Sequence, residues 1–498
     1  MTSVDEIGAA ADRFLAERLP HTDVPGMAVG LCDRDGNRWT GTYGVTAAGG
    51  QPIRTTTMFS VQSTSKLVTA TTALIAVRQG LLDLDAPIST YLPAFTVGST
   101  FEADPVAGIT LRRLLDHTAG FTHEAPIGSN YVPGEDFAEH VRSISETELR
   151  FRTGSHHEYS NLGVDLAGQL IQNVSGQAFP DFAAAELFAP LGMSRSTFDS
   201  HVWSADDDRA RGHWARLTTA GTHPPEVIPM VPSGGLYTCV DDALSFLGFQ
   251  LGNEDERLTE FPKLTAGQRT GYGLCLYVDQ WDGEVSVHHH GGAGFGFLSQ
   301  LFWMPELGAG GVILSNSVDH DLQNELAAYV VRTCAGRSEA DGEPGPVRPL
   351  PSTTVSDPAL VGTYLGRLGD VIELTLQDGP EPLVLEDPAG HPRYLVNEFS
   401  GDVYYRTFVP DVAPARLPEA SCGTYFSTVQ GVPVSPYRLR QDGERAWLDV
   451  ARGGSLDNAL SLQLESLGDG RYLSATGEIL SIGPSGVSYA NIPLDRQA

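Results

Sequence analysis

The sequence predicts an α/β (α+β) fold: an antiparallel sheet flanked by helices with a helical subdomain, followed by an all-β domain. Three observations carry that prediction. Apolar residues recur at the helical period at both ends of the first 337 residues and through their middle. Strand-like runs bounded by Gly and Asp turns lie between those helices. A stretch with five prolines and several acids over 338–358 then marks a linker, and beyond it the helical period is gone. The expected domains are 1–337, the linker 338–358, and an all-β domain over 359–498.

Residues 3–19 open with a helix-capping Ser3 and place Ile7, Ala10, Ala11, Phe14 and Leu15 on one face. Strands over 27–32 and 38–45 follow, joined through Asp35-Gly36, a strong hairpin signal. A helix starts at Ser63 and runs to about 79, with Gly80 as its stop. A short helix over 111–117 leads into 121–136, rich in Gly, Pro, Asn and His, which reads as a loop over a site. Helices are expected over 162–174, 179–187 and 241–250, and 200–232 reads as a second lid. Strands over 272–280, 284–290, 297–303 and 311–315 precede a last helix over 322–334. After the linker, eight short runs between 360 and 475 read as strands of a sandwich or small barrel.

At 498 residues the chain exceeds one ordinary core. Its net charge of −30 is spread along the chain, so nucleic acid and anionic membrane are excluded as partners. No apolar stretch approaches the length of a membrane span. The first twenty residues lack a basic segment followed by an apolar run, so no signal peptide and a cytoplasmic location are expected. Cys32, Cys239, Cys275, Cys334 and Cys422 are scattered, with no CxxC, and read as reduced structural thiols.

The chain holds two lysines, Lys66 and Lys263, and uses Arg elsewhere. One of the two stands three residues after Ser63, where the helical repeat places both on one face. Arg holds a salt bridge as well as Lys does, but only Lys can shed its proton and act as a base. Tyr159 and Asn161 stand at a loop-to-helix junction, offering a phenol that can pass a proton and an amide that can orient substrate. His288-His289-His290-Gly291-Gly292-Ala293-Gly294 ends a strand, and its glycines permit close approach of a bound backbone. The histidines lack metal-ligand spacing, and neighbours on a strand point to opposite faces, so neither a metal nor any other cofactor is expected.

Ser-x-x-Lys, Tyr-x-Asn and His-x-Gly, in that order, resemble the serine β-lactamase/DD-peptidase superfamily, closest to its class C-like, S12-type branch. Ile109 to Gly120, Pro190-Leu191-Gly192-Met193, Gly234-Gly235-Leu236 and Tyr272-Gly273-Leu274 add to the likeness, which covers about residues 5–335. The resemblance implies a β-lactamase/transpeptidase-like fold with Ser63 as nucleophile and Lys66 as its base. It further implies that Tyr159 serves the leaving group, that Asn161 positions substrate, and that His290 and Gly292 are the fixed points of the third motif. The N–H groups of Ser63 and Ala293 would form the oxyanion hole. Penicillin-active members carry Lys-Thr-Gly where this chain has His-Gly-Gly, which removes a fixed cation and resembles D-aminopeptidases with a lipocalin-like C-terminal domain. The expected activity is cleavage of small amides or peptides containing D-residues, or of esters, through an acyl-enzyme, with a small molecule or peptide as partner and a homo-oligomer allowed. The alternatives are an acyltransferase or peptide-cyclising thioesterase, and a non-catalytic binding protein on the same fold.

Overall fold

The computed structural model describes residues 2–47, 49–129, 132, 134, 136–213, 229–253, 255–263, 271–281, 285–337, 354–366, 371–377, 383–386, 392–396, 403–408, 415–429, 432–452 and 455–497. Most of the expected linker, the centre of the 200–232 lid and the turn at Asp282-Gly283 lie outside the described residues. The chain packs into two compact units. The first is Met1–Ala86, Val164–Phe261 and Gly271–Arg348, and the second is Pro87–Gly163, Pro262–Thr270 and Pro349–Ala498. Spatial grouping therefore differs from chain order, since the segment 87–163 belongs with the C-terminal residues.

In the first unit, helix α1 (Val4–Arg18) starts in a capping box: Ser3 accepts from the Glu6 N–H, and the Glu6 carboxylate accepts from the Ser3 N–H. Strands β1 (Gly26–Asp33) and β2 (Arg38–Gly44) follow, their turn using Gly36 at φ +87°. Helix α2 (Ser65–Arg78) comes next, then α3 (Asn161–Ser175), which belongs to this unit from Val164 onward, and α4 (Val240–Asn253). Strands β3 (Tyr277–Trp281), β4 (Val285–Gly294), β5 (Phe297–Met304) and β6 (Ala309–Ser315) lead to helix α5 (His320–Cys334). The sheet runs β2-β1-β6-β5-β4-β3, with every neighbour antiparallel.

Strand alternation gives the sheet two apolar faces. Met27, Val29 and Leu31 join Val287, Phe302 and Ile313 on the face covered by α1 and α5. On the other face a Cβ at Gly30 would stand 2.7 Å from Val240 Cγ2, so α4 lies directly on the strand. Registration pairs His289 with Phe302, His290 with Leu301 and Gly292 with Ser299. His289 thus belongs to the α1/α5 face, and His290 and Gly292 to the opposite one.

The second unit combines short helices at Leu111–Leu115 and Phe137–Ile144 with the C-terminal strands. Strands β7 (Thr354–Val355), β8 (Gly362–Gly366), β9 (Val371–Leu376), β10 (Leu383–Glu386), β11 (Pro392–Val396) and β12 (Val403–Arg406) form one sheet, in the order β7-β9-β8-β12-β11-β10. Strands β13 (Gly423–Val429), β14 (Val432–Asp442), β15 (Arg445–Arg452), β16 (Ser455–Gly468), β17 (Arg471–Ser474), β18 (Ile479–Gly483), β19 (Gly486–Tyr489) and β20 (Ile492–Arg496) form a closed barrel. Closure comes from Tyr425 paired with Arg496 and Phe426 with Asp495. Tyr437, Leu439, Leu448, Leu462, Leu464 and Leu480 gather in one buried cluster at alternate positions, filling an eight-stranded interior with side chains. The C-terminal region is thus a sheet followed by a barrel, where the strand pattern alone left sandwich and barrel open. Among the described residues, no helix is long and apolar enough to cross a membrane.

Candidate active site

Ser63 lies where a strand turns sharply into a helix. Phe59 and Ser60 pair with Thr238 and Tyr237, and the Val61 N–H donates to the Leu236 carbonyl at 3.0 Å. The chain then reverses at Gln62, whose φ of +49° is costly for a residue with a side chain, by about 1–2 kcal/mol. The Gln62 amide donates to Ser60 Oγ at 2.6 Å, and the Gln62 carbonyl accepts from Ser65 Oγ, which fixes that reversal. A 3₁₀ turn over Gln62–Thr64 runs straight into α2, so the regular α-helix starts two residues after the expected Ser63. Ser63 itself is half-buried while its neighbours are buried.

One turn on, Lys66 is fully buried. Its Nζ donates to Ser63 Oγ at 3.0 Å and to the Ser233 carbonyl at 2.8 Å. Ser233 is held in turn by Asp165 on α3: its N–H donates to Oδ1 at 2.9 Å and its Oγ to Oδ2 at 3.0 Å. Thr69 Oγ1 donates to the Pro232 carbonyl at 2.7 Å, tying the same segment to α2. Sequence reasoning marked Gly234-Gly235-Leu236 but not Ser233 or Asp165. Neither carries a motif, and Ser233 meets Lys66 through a carbonyl that any residue supplies.

Strand β4 passes beside the nucleophile. A Cβ at Gly292 would lie 2.0 Å from the Val61 carbonyl oxygen and 2.9 Å from the Ser63 nitrogen, so only glycine permits the approach. Thr64 Oγ1 donates to the His290 carbonyl at 3.2 Å, and Ser299 Oγ to the Val61 carbonyl at 2.7 Å, lacing the turn to β4 and β5. Ala293, the next residue, is exposed. His290 is buried on the Ser63 side of the sheet. Its Nδ1 lies 2.7 Å from the Gly291 carbonyl and must donate, so in the neutral ring Nε2 accepts from Tyr272 Oη at 3.2 Å. His289 faces the other way, its Nε2 donating to Asp279 at 2.8 Å. Among the described residues, no three His, Cys, Asp or Glu side chains converge as a metal site.

Tyr159 and Asn161 belong to the second unit, both buried, and Asn161 is the first residue of α3. The Tyr159 ring lies close to two imidazoles, 4.5 Å from His117 and 5.8 Å from His123 between centroids. On one flank the Glu158 N–H donates to the His117 carbonyl at 2.9 Å. On the other, the Ser160 N–H donates to His117 Nδ1 at 3.3 Å and Ser160 Oγ to the Thr122 carbonyl at 2.6 Å. Glu158 also meets the Arg150 guanidinium at 3.3 Å and accepts from Tyr405 Oη at 2.6 Å. Burial works against the Arg150 charge, but Glu478, then Tyr405 and Glu158, outweigh it and hold the group protonated.

The beta-lactamase family model matches residues 11–333. A D-alanyl-D-alanine-carboxypeptidase/endopeptidase, AmpH of Escherichia coli (strain K12), is 25% identical over 329 residues, covering 61% of this chain and 82% of its own. Two solved structures resemble nearly the whole chain, the C-terminal strands included. SurE with D-Leu is 19% identical with a TM-score of 0.55, covering 99% of both chains. The octameric penicillin-binding protein homologue from Pyrococcus abyssi is 17% identical with a TM-score of 0.56, covering 98% of both. On the strength of the family match over most of the chain, this protein belongs to the beta-lactamase family.

Proposed function

We propose that the protein is a serine hydrolase that forms an acyl-enzyme on Ser63 and cleaves small amides or peptides containing D-residues, with esters as further substrates. The observation that carries this reading is the 3.0 Å hydrogen bond from a fully buried lysine to the Ser63 hydroxyl. A free serine hydroxyl is a weak nucleophile, and a base within hydrogen-bond reach is what activates it. In this reading Lys66 takes the Ser63 proton as Oγ bonds to the substrate carbonyl carbon. The N–H groups of Ser63 and Ala293 receive the oxyanion, and one such donor is worth about 3–4 kcal/mol of barrier. Collapse of the tetrahedral adduct breaks the bond to the leaving nitrogen, which takes a proton from Tyr159. The proton taken by Lys66 restores Tyr159, and water then attacks the acyl carbon, its proton passing to Oγ as the acyl bond breaks and Ser63 is regenerated.

Asn161 and Gly292 align the substrate, and His290 stands where a fixed cation would otherwise hold a carboxylate. The preference for D-residues is supported by the D-alanyl-D-alanine specificity named for AmpH and by the D-Leu held by SurE. A homo-oligomer is supported by the octameric likeness. The expected partners are thus a small-molecule or peptide substrate and further copies of the chain.

A fluorophosphonate is the direct test, joined to a panel of D- and L-aminoacyl amides, p-nitrophenyl esters and a cephalosporin. Wild type should gain one probe mass at Ser63, and Ser63→Ala none, with turnover lost in step. Labelling retained in Ser63→Ala removes the assignment.

A further inference from the structure

Both flanks of Tyr159 lead to a single side chain of the C-terminal barrel. Glu158, on the N-terminal side, is held by Arg150, and Arg150 Nε lies 2.8 Å from Glu478 Oε1. Ser160, on the C-terminal side, is held by the Thr122 carbonyl, and Thr122 Oγ1 donates to Glu478 at 2.8 Å. Glu478 lies on the β17–β18 turn, whose Thr476 carbonyl also accepts from Arg150 Nη2 at 2.9 Å. At Gly477, φ +79°, a Cβ would stand 2.5 Å from the Arg150 carbonyl oxygen, so the turn fits this site only as glycine. Glu478, Arg150 and Glu158 are all buried, 8%, 7% and 4% exposed. A surface ion pair would hold little, but charges taken out of water are costly unless their geometry is kept. Two carboxylates share one guanidinium here, and each also accepts a hydroxyl: Thr122 for Glu478, Tyr405 for Glu158.

The geometry points to Glu478 as a positioning residue for Tyr159, so that the barrel forms part of the catalytic apparatus. This inference rests on the reading of Tyr159 as proton donor to the leaving group. Glu478 touches neither Tyr159 nor substrate in that reading. It fixes the residues on either side of the phenol, and a shift of about 1 Å in a positioned group can cost on the order of 100-fold in rate.

The test separates leaving groups. A p-nitrophenolate departs without a proton, whereas an amine does not, so loss of phenol placement should fall on amides. Turnover of the best amide in the panel and of the p-nitrophenyl ester is measured for wild type, Glu478→Gln, Thr122→Val and Tyr159→Phe. Sites are counted by fluorophosphonate and folding is checked by thermal melting. Glu478→Gln should lower kcat for the amide about 10- to 100-fold, with ester turnover per labelled site within about threefold of wild type. Thr122→Val, which cuts only one arm, should show a smaller split in the same direction. Equal losses on amide and ester in Glu478→Gln, tracking a lowered melting point, would mean a structural bridge and overturn the inference while Tyr159→Phe keeps its split. If Tyr159→Phe shows no split, or wild type turns over no amide, the reading of Tyr159 fails and the inference fails with it.

Discussion

Lys66 can reach Ser63 because they stand one helical turn apart, but its direction is set from outside the helix. The Ser233 carbonyl accepts at 2.8 Å, and Asp165 holds Ser233 through both N–H and Oγ. Asp165→Ala leaves those two donors without an acceptor, at about 1–3 kcal/mol of stability each. It should slow fluorophosphonate labelling of Ser63 about 10- to 100-fold, because the Ser233 carbonyl that aims the lysine loses its anchor. Ser233→Ala keeps the N–H tie to Asp165 and should cost much less. Labelling of Asp165→Ala at the wild-type rate would show that the amine needs no such guide. Ser63 and Lys66 are legible in the sequence because lysine is so scarce there that its placement informs. Ser233 is not legible, since it acts through its backbone, and Asp165 is one acid among 62 acidic residues.

Short elements around the site carry charge that burial has altered. At the end of the helix Leu111–Leu115, Asp116 accepts from the N–H and Oγ1 of Thr118. Burial nonetheless outweighs those donors and the nearby Arg112 and Arg113, and pushes the carboxyl up to about 6. A carboxyl with a raised pKa in the folded state binds its proton more tightly there than in the unfolded chain. Its contribution to stability is therefore present below the unfolded value near 4 and is lost as pH rises through about 6. The shift amounts to something on the order of 3 kcal/mol between those limits. Asp116→Asn cannot titrate, so its melting point relative to wild type should rise as pH goes from 4.5 to 8, by about 5 °C. A difference that stays constant across that range would show that Asp116 does not titrate differently on folding.

At this scale the hairpins, the capping box and the sheet strands are legible from turn residues and alternation. The reversal at Gln62 is not, because a positive φ at a residue with a side chain is imposed by Ser60 and Ser65 after folding. The barrel is not either: its strands read as strands, but closure joins Tyr425 to Arg496 across the whole element.

Across the molecule, sequence order suggests a catalytic domain, a linker and an all-β tail, whereas packing groups 87–163 with 349–498. The ties that do this join residues more than 300 apart: Thr122 to Glu478, Arg150 to Thr476 and Arg471 to Glu148. No periodicity can announce them, because each is a single polar meeting between segments whose own patterns are complete. Arg150 is the centre of this junction, and removing one partner of a buried ionic group costs about 3–5 kcal/mol because the others stay buried without their counter-charge. Arg150→Met fills a similar volume but leaves Glu158 and Glu478 facing each other. If 117–124 and the barrel turn 474–478 form one cooperative unit, hydrogen exchange in both should accelerate together in this variant. Exchange in β5 and β6, which belong to the first unit, should stay close to wild type. Acceleration confined to one of the two segments would mean that the barrel is merely tethered beside the helical subdomain. Joint acceleration would make the C-terminal strands part of the scaffold that carries Tyr159.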